Sequence, residues 1–192
     1  IPTSMKARAV HVAPIANELS NEAVNKLRES TSILSLDPQG FVRSFNKQGE
    51  MRLKGWRKPS VLKCVDIYKS SQEEIRMLTK TTDLKCAIET IHDYGVRILI
   101  VTRGAQGAVL LFDDTLYDIP PCRPRAVLDP TGAGDAYIGA FLAEYVRRRD
   151  PLWCACLGSA GASFVVEGLG PQRFGEREET YARAREIYEA VT

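Results

Sequence analysis

The chain has 192 residues, 44% hydrophobic and 26% charged, which suits one sizeable globular domain. Its 26 Lys and Arg against 24 Asp and Glu leave a formal charge of +2, and no basic stripe interleaved with aromatics occurs, which argues against nucleic acid as a partner. No apolar run approaches the ~18 residues of a membrane-spanning helix and no signal-peptide pattern is present, so no membrane partner is expected either.

Ala7–Ala13 predicts a short strand. Asn17–Glu29 predicts a helix, with Leu19, Ala23, Val24 and Leu27 on one stripe. Ile33–Leu36 is a second strand, stopped by the turn residues Asp37-Pro38-Gln39-Gly40. Phe41–Trp56 alternates irregularly and predicts a small hairpin turning at Asn46-Lys47-Gln48-Gly49. Val65–Tyr68 is a third strand, and Gln72–Thr79 and Leu84–Tyr94 are helices, the second closed by Gly95.

Val96–Thr102 holds a continuous apolar run, as expected of a strand buried on both faces of a parallel sheet. Ala108–Phe112 follows, turns at Asp113-Asp114, and pairs back through Leu116–Ile119. A proline-rich loop, Pro120–Arg125, leads to Val127-Leu128. Gly132–Arg148 predicts a helix apolar on most sides, with Arg147-Arg148-Arg149 answering its C-terminal dipole. Leu152–Val166 and the amphipathic Glu176–Val191 complete the chain. Strands and helices alternate throughout, so the fold class is α/β with a mainly parallel sheet, whose ligands bind beyond the C-terminal strand ends.

The five cysteines, Cys64, Cys86, Cys122, Cys154 and Cys156, are odd in number and irregular in spacing, with no C-x-x-C pair. They read as free thiols in a reducing cytoplasm, and His11 and His92 lie too far from any Cys pair to suggest zinc.

The densest chemistry lies in Asp129-Pro-Thr-Gly-Ala-Gly-Asp135. A tight Gly-x-Gly turn feeding a helix offers backbone N–H groups to an anion. Asp135 stands where that anion would bind, and can accept a proton from an attacking hydroxyl. Gly132, Ala133, Gly134 and Asp135 supply amides for developing charge, and Asp129 or Thr131 can cap the helix. The bland reading is an ordinary strand-to-helix turn with a capping Asp. No G-x-x-x-x-G-K-[ST] occurs, and Tyr137 occupies the place where a dinucleotide fingerprint needs a small residue.

Residues 129–135, running into Ile138-Gly-Ala-Phe-Leu142, resemble the second signature of the ribokinase-like (PfkB) family of carbohydrate kinases. The resemblance implies a ribokinase-like three-layer α/β fold as one domain over 1–192, matching the C-terminal two-thirds of a family member. The N-terminal lid portion and first glycine-rich signature would lie outside these residues. It implies ATP-dependent phosphorylation of a hydroxyl on a sugar, polyol or nucleoside, with Asp135 as base and Gly132–Asp135 as anion hole.

Three further segments resemble the family in the same order. Thr102-Arg-Gly-Ala-Gln-Gly107 looks like its nucleotide loop, with Thr102, Gly104 and Gly107 as contacts, or else a hairpin-type turn. Ser71-Gln-Glu-Glu74 resembles N-x-x-E with Ser for Asn, which implies Ser71 near the nucleotide and Glu74 serving Mg²⁺. It also reads as a capping box, and both can hold. Leu157–Ser163 resembles the small-residue helix beside adenine, with Ser159 in the nucleotide site or simply in helix packing.

The resemblance also implies a monovalent cation (K⁺) at Asp129 and Thr131, and admits a homodimer. Lys69–Glu74, Ile119-Pro-Pro and the Asp-Pro-Thr form look like myo-inositol kinases. A truncated, non-catalytic nucleotide-binding protein on the same fold is the alternative.

Overall fold

The computed structural model describes residues 6–56 and 59–192. They fall into two compact units, Ile1–Val101 and Thr102–Thr192. The architecture is α/β with a mostly parallel sheet flanked by helices, as the alternation of elements predicts.

In the first unit the chain runs β1 (Ala7–Val12), α1 (Asn21–Arg28), β2 (Thr31–Leu36), α2 (Gln39–Val42), β3 (Arg43–Phe45), β4 (Met51–Leu53), a 3₁₀ turn at Pro59–Cys64, β5 (Ile67–Ser71), α3 (Gln72–Thr79), α4 (Leu84–His92) and β6 (Ile98–Thr102). The order across the sheet is β1-β2-β5-β6, and β2 lies parallel to both β1 and β5. Leu34, Leu36, Ile67, Tyr68, Leu99, Ile100 and Val101 are fully buried, as central parallel strands covered on both faces require. Leu36 is in register with Tyr68. That register brings Asp37 and Lys69, the next residue of each strand, side by side.

Several boundaries differ from the sequence expectation. α1 starts at Asn21, because the Ser20 side chain accepts the Ala23 amide at 3.2 Å and so caps the helix there, while Asn17 sits at φ +64°. β5 starts at Ile67, since the Val65 amide closes a turn on the Leu62 carbonyl at 3.0 Å. The expected hairpin forms over β3 and β4, and Asn46 Oδ1 accepts the amides of Gln48 and Glu50 in its turn. Phe41 and Val42, expected in that hairpin, instead form the turn of helix α2, where Phe41 stacks on Trp56 at 4.4 Å.

The second unit holds β7 (Ala108–Phe112), β8 (Thr115–Ile119), α5 (Ala133–Tyr145), α6 (Pro151–Val165) and α7 (Arg177–Val191). β7 and β8 pair antiparallel about Asp113 and Asp114, both left-handed, as a two-residue hairpin turn needs. α6 starts on a cap from Asp150 to the Trp153 amide, and Pro151 takes the first helical position. Twelve of its 15 residues are buried, so it forms the unit's centre against α5 and α7. Trp153 meets Tyr181 and Tyr188 edge-on at 5.5 and 5.8 Å, which joins α6 to α7.

α5 stops at Tyr145, three residues short of the expected end. Arg148 takes φ +61°, and Arg147 and Arg149 turn back to the buried Glu144, at 2.6 and 3.9 Å. The basic run thus answers one buried carboxylate as well as a helix dipole. All five cysteines are free, and burial pushes the thiols of Cys154 and Cys156 up to about 12, which leaves them inert at neutral pH. Among the described residues no helix is long and apolar enough to cross a membrane.

Two helical glycines should respond oppositely to alanine. A Cβ on Gly158 would lie 2.8 Å from the Tyr137 ring, so Gly158→Ala should cost about 1–3 kcal/mol by overpacking α5 against α6. Gly139 has open space, so Gly139→Ala should add roughly 0.5–1 kcal/mol from helix propensity alone. Urea unfolding of both variants checks the sign of each.

Candidate active site

Of the seven described α-helices, four are closed at their start by a side chain, while α2, α5 and α7 are not. Ser20, Ser71, Asp83 and Asp150 each accept a backbone N–H at the start of α1, α3, α4 and α6. α5 begins on Gly132 at φ +82° with no side-chain cap. Neither Asp129 nor Thr131 caps it, contrary to expectation. Asp129 Oδ1 accepts the Thr131 amide and its Oδ2 accepts the Gly170 amide, both at 2.9 Å. Its carboxylate therefore ties the turn to the loop after α6.

The expected anion hole loses one member. The Ala133 amide donates to the Pro130 carbonyl at 3.1 Å, which closes the turn. Among the described residues the amides of Gly132, Gly134 and Asp135 have no backbone acceptor. Gly134 and Asp135 stand in the first turn of α5, where the helix dipole concentrates positive potential. Asp135 is exposed, and among the described residues its carboxylate makes no hydrogen bond or ion pair. A base and two free donors thus share one helical turn.

That turn opens on a cleft of about 540 Å³ lined by Gly132, Asp135, Ala136, Gly139, Pro171 and Phe174, among others. Gly132 is required twice. Its positive φ suits glycine, and a Cβ there would come within 3.0 Å of the Pro171 ring.

The far wall of the cleft hangs on a buried carboxylate that the sequence reading missed. Glu167 accepts the Arg125 amide and Arg183 Nη2, each at 2.8 Å, and pairs with Arg173 at 3.1 Å. Burial raises its pKa, but the Arg125 amide and the Arg183 and Arg173 charges outweigh that, and the carboxyl stays below its ordinary value. Arg183 also donates to Ser163 at 2.7 Å and lies 3.7 Å over the Phe164 ring. The one signal in the sequence was an acid directly after a strongly apolar helix.

Ser159, read as a nucleotide contact or as helix packing, holds a neighbouring loop. It is buried, its Oγ accepts the Cys122 amide at 3.1 Å and donates to the Pro120 carbonyl at 3.3 Å. The hydroxyl's one proton and one of its two acceptor lone pairs are thus spent on holding the proline-rich loop. Thr102 ends β6 and Gly104–Gln106 forms a 3₁₀ turn with an exposed crest, Gly104 at φ +57°. Gly107 donates back to Gly104 at 3.1 Å, and a Cβ on it would strike the Ile119 carbonyl. Arg103 anchors this turn to β8 through Asp118 and donates to the Gln106 carbonyl at 2.9 Å.

In the first unit, Ser71 and Glu74 form a full capping box. Ser71 Oγ accepts the Glu74 amide at 3.2 Å, and Glu74 Oε2 accepts the Ser71 amide at 2.9 Å. Glu74 Oε1 accepts Arg43 Nη2 at 3.0 Å, a partner 31 residues away that no local pattern announces. Asp37 is buried, bonded to Lys69 at 2.6 Å and to the Gln39 amide at 3.0 Å.

Among the described residues no three His, Cys, Asp or Glu side chains gather as a ready metal cage. One carboxylate with a neighbouring hydroxyl suits Mg²⁺, which keeps most of its waters and is shared with substrate phosphates. Glu74 and Ser71 fit that limited part.

A profile described as pfkB family carbohydrate kinase matches residues 18–177. A cytidine kinase from Thermococcus kodakarensis is 29% identical over 168 residues, 86% of this chain and 58% of that protein. A nucleoside kinase from Methanocaldococcus jannaschii is 31% identical over 173 residues, 89% of this chain and 53% of that one. Among solved structures, a pyrophosphate-dependent kinase of the ribokinase family, complexed with a pyrophosphate analog and myo-inositol, superposes with a TM-score of 0.79 at 28% identity. That match covers 93% of this chain and 64% of the other. The chain spans little more than half the length of these curated relatives.

The Asp129 bridge sets an acid limit on the cleft wall. The Thr131 side chain, then the Thr131 and Gly170 amides, hold its carboxyl below the ordinary aspartate value. A depressed folded pKa stabilises above the unfolded value and is lost as pH falls through the folded one. Exchange of the Gly170 amide with deuterium should therefore accelerate as pH falls below about 4, after correction for intrinsic rates. Asp129→Asn should exchange faster than the unmodified protein above that range, converge with it in acid, and show no such step.

Proposed function

The chain belongs to the pfkB family of carbohydrate kinases, and from that premise we propose that it carries the phosphoryl-transfer machinery of an ATP-dependent kinase acting on a hydroxyl of a sugar, polyol or nucleoside. The observation that carries this reading is the first turn of α5. An exposed carboxylate with no partner among the described residues, Asp135, sits beside the uncapped amides of Gly134 and its own residue.

In this reading Asp135 accepts the proton of the acceptor hydroxyl as the oxygen attacks the γ-phosphorus and the bond to the bridging oxygen breaks, releasing ADP. The amides of Gly132, Gly134 and Asp135 receive the negative charge that develops on the transferred group. A preorganised donor of this kind lowers the barrier by on the order of 3 kcal/mol, and a positioned base adds about 10²–10⁴ in rate. Little covalent chemistry is asked of the protein, because phosphoryl transfer depends on positioning and electrostatics. When bound, Mg²⁺ supplies further charge neutralisation on the donor phosphates, and Glu74 with Ser71 would serve it. Asp129 and Thr131 would serve a monovalent cation, and the exposed crest at Gly104 with Gly107 behind it would approach the nucleotide.

Pyrophosphate is a second donor to weigh against ATP. Pyrophosphate-dependent kinases are among the similar structures at 27–28% identity, and the Ser159 hydroxyl proton is donated to the Pro120 carbonyl rather than to a nucleotide. For the acceptor, the named relatives favour a nucleoside, while the inositol-bound structure favours a polyol.

Turnover is measured with ATP and with pyrophosphate across a panel of sugars, polyols and nucleosides. Asp135→Asn should cut kcat by ~10² or more while donor binding, read by calorimetry, stays nearly unchanged. A near-normal kcat in that variant would sink the assignment of the base. No turnover with any donor and acceptor, alongside measurable donor binding, would favour a non-catalytic nucleotide-binding protein.

A further inference from the structure

Two buried or half-buried ion pairs stand at the ends of β2 and β5, and they differ in kind. Asp37 and Lys69 are both enclosed, with side chains 2% and 7% exposed, and lie 2.6 Å apart. Neither can leave without stranding a charge in the core. Arg43 and Glu74 are unequal. The Glu74 side chain is 7% exposed, but that of Arg43 is 29% exposed.

The bond between them is also incomplete. Arginine and carboxylate commonly meet through two parallel hydrogen bonds. Here one is made, Nη2 to Oε1 at 3.0 Å, because Oε2 is already held by the Ser71 amide. Arg43 Nε is buried and has no partner among the described residues. The guanidinium sits at the root of the β3–β4 hairpin, with one side open to water. The capping box therefore fixes the carboxylate, while the cation on it is held by a single contact and has a route out.

We propose that Arg43 is a positioning residue that occupies the cation place on Glu74 Oε1 and yields it to a hydrated divalent cation. The proposal rests on the reading of Glu74 as the acid that serves the metal. Its chemistry is simple competition. A buried carboxylate needs a positive partner, the guanidinium provides one when no metal is near, and the two cannot share one oxygen at full strength. Glu74 keeps its rotamer in both states, because Oε2 stays on the Ser71 amide. An ordinary structural tether between hairpin and α3 would show no such exchange.

Thermal unfolding of the chain without donor or acceptor tests this, in ~10 mM MgCl₂ against NaCl of equal ionic strength. Arg43→Gln leaves Glu74 uncompensated, so its Tm should fall by roughly 3 °C or more in NaCl, and Mg²⁺ should restore at least half of the loss. Arg43→Lys, which keeps the charge on a shorter reach, should lose less Tm than Arg43→Gln in NaCl and show a Mg²⁺ response between that of Arg43→Gln and that of the unmodified protein. Glu74→Gln, alone or with Arg43→Gln, should show no response to Mg²⁺ beyond that to NaCl. A Mg²⁺-dependent shift in Arg43→Gln no larger than in the unmodified protein overturns the proposal. If Arg43→Gln does not fold, the same comparison is made with Arg43→Lys, whose shorter reach should give a larger Mg²⁺ response than arginine. Turnover is not read in this experiment, so a failure of the kinase assignment and a failure of this inference are told apart.

Discussion

An uncapped helix start governs the second unit. Backbone N–H groups at a helix start are normally satisfied by a side chain, and four other helices in this protein follow that rule. α5 does not, because Gly132 holds a left-handed conformation and brings no acceptor of its own. Everything around it keeps that start open. Asp129, the nearest acid before it, is turned away and held by the Thr131 and Gly170 amides. Pro171 packs where a side chain on residue 132 would stand. The cleft thus meets a helix start whose donors no side chain closes.

The loops that shape the cleft are held by buried charge rather than by regular structure. Glu167 gathers an amide and two arginines from three separate segments, and Arg183 adds Ser163 and the face of Phe164. Burying one carboxylate is costly, so it persists only where several donors converge on it. Ser159 does a neutral version of the same work for the proline-rich loop. In the first unit the Asp37–Lys69 pair and the Glu74 capping box set the strand ends in the same manner. In each unit, then, segments just past the sheet are fixed by polar and charged groups of the protein itself.

Much of this was legible in residue order. The helix start at Ser71 follows from capping chemistry that acts over three residues, whereas the Asp150 cap that opens α6 at Pro151 lies just before the expected start at Leu152. The hairpins at Asn46 and at Asp113-Asp114 follow from residues that tolerate unusual backbone angles. Local signals failed where a stronger local alternative competed. Leu19 lay on a helical stripe with Ala23 and Leu27, yet Ser20 capped the helix behind it. Val65 looked like a strand residue, yet the 3₁₀ turn before it claimed its amide.

Residue order by itself determined the fold class, the Gly-x-Gly turn before a helix, and the acid that follows it, because these rest on contacts within a few residues. It also singled out Glu74 through its capping partner. Only the tertiary structure decided which atoms remain available. The partners of Glu74, Asp37, Asp129 and Ser159 lie 31, 32, 41 and 37 residues away in the chain. A hydrogen bond over such a span is set by where the chain packs, not by any periodicity. So the sequence marked Asp129 and Asp135 alike as acids of one motif, and packing alone committed the first to a loop and left the second exposed.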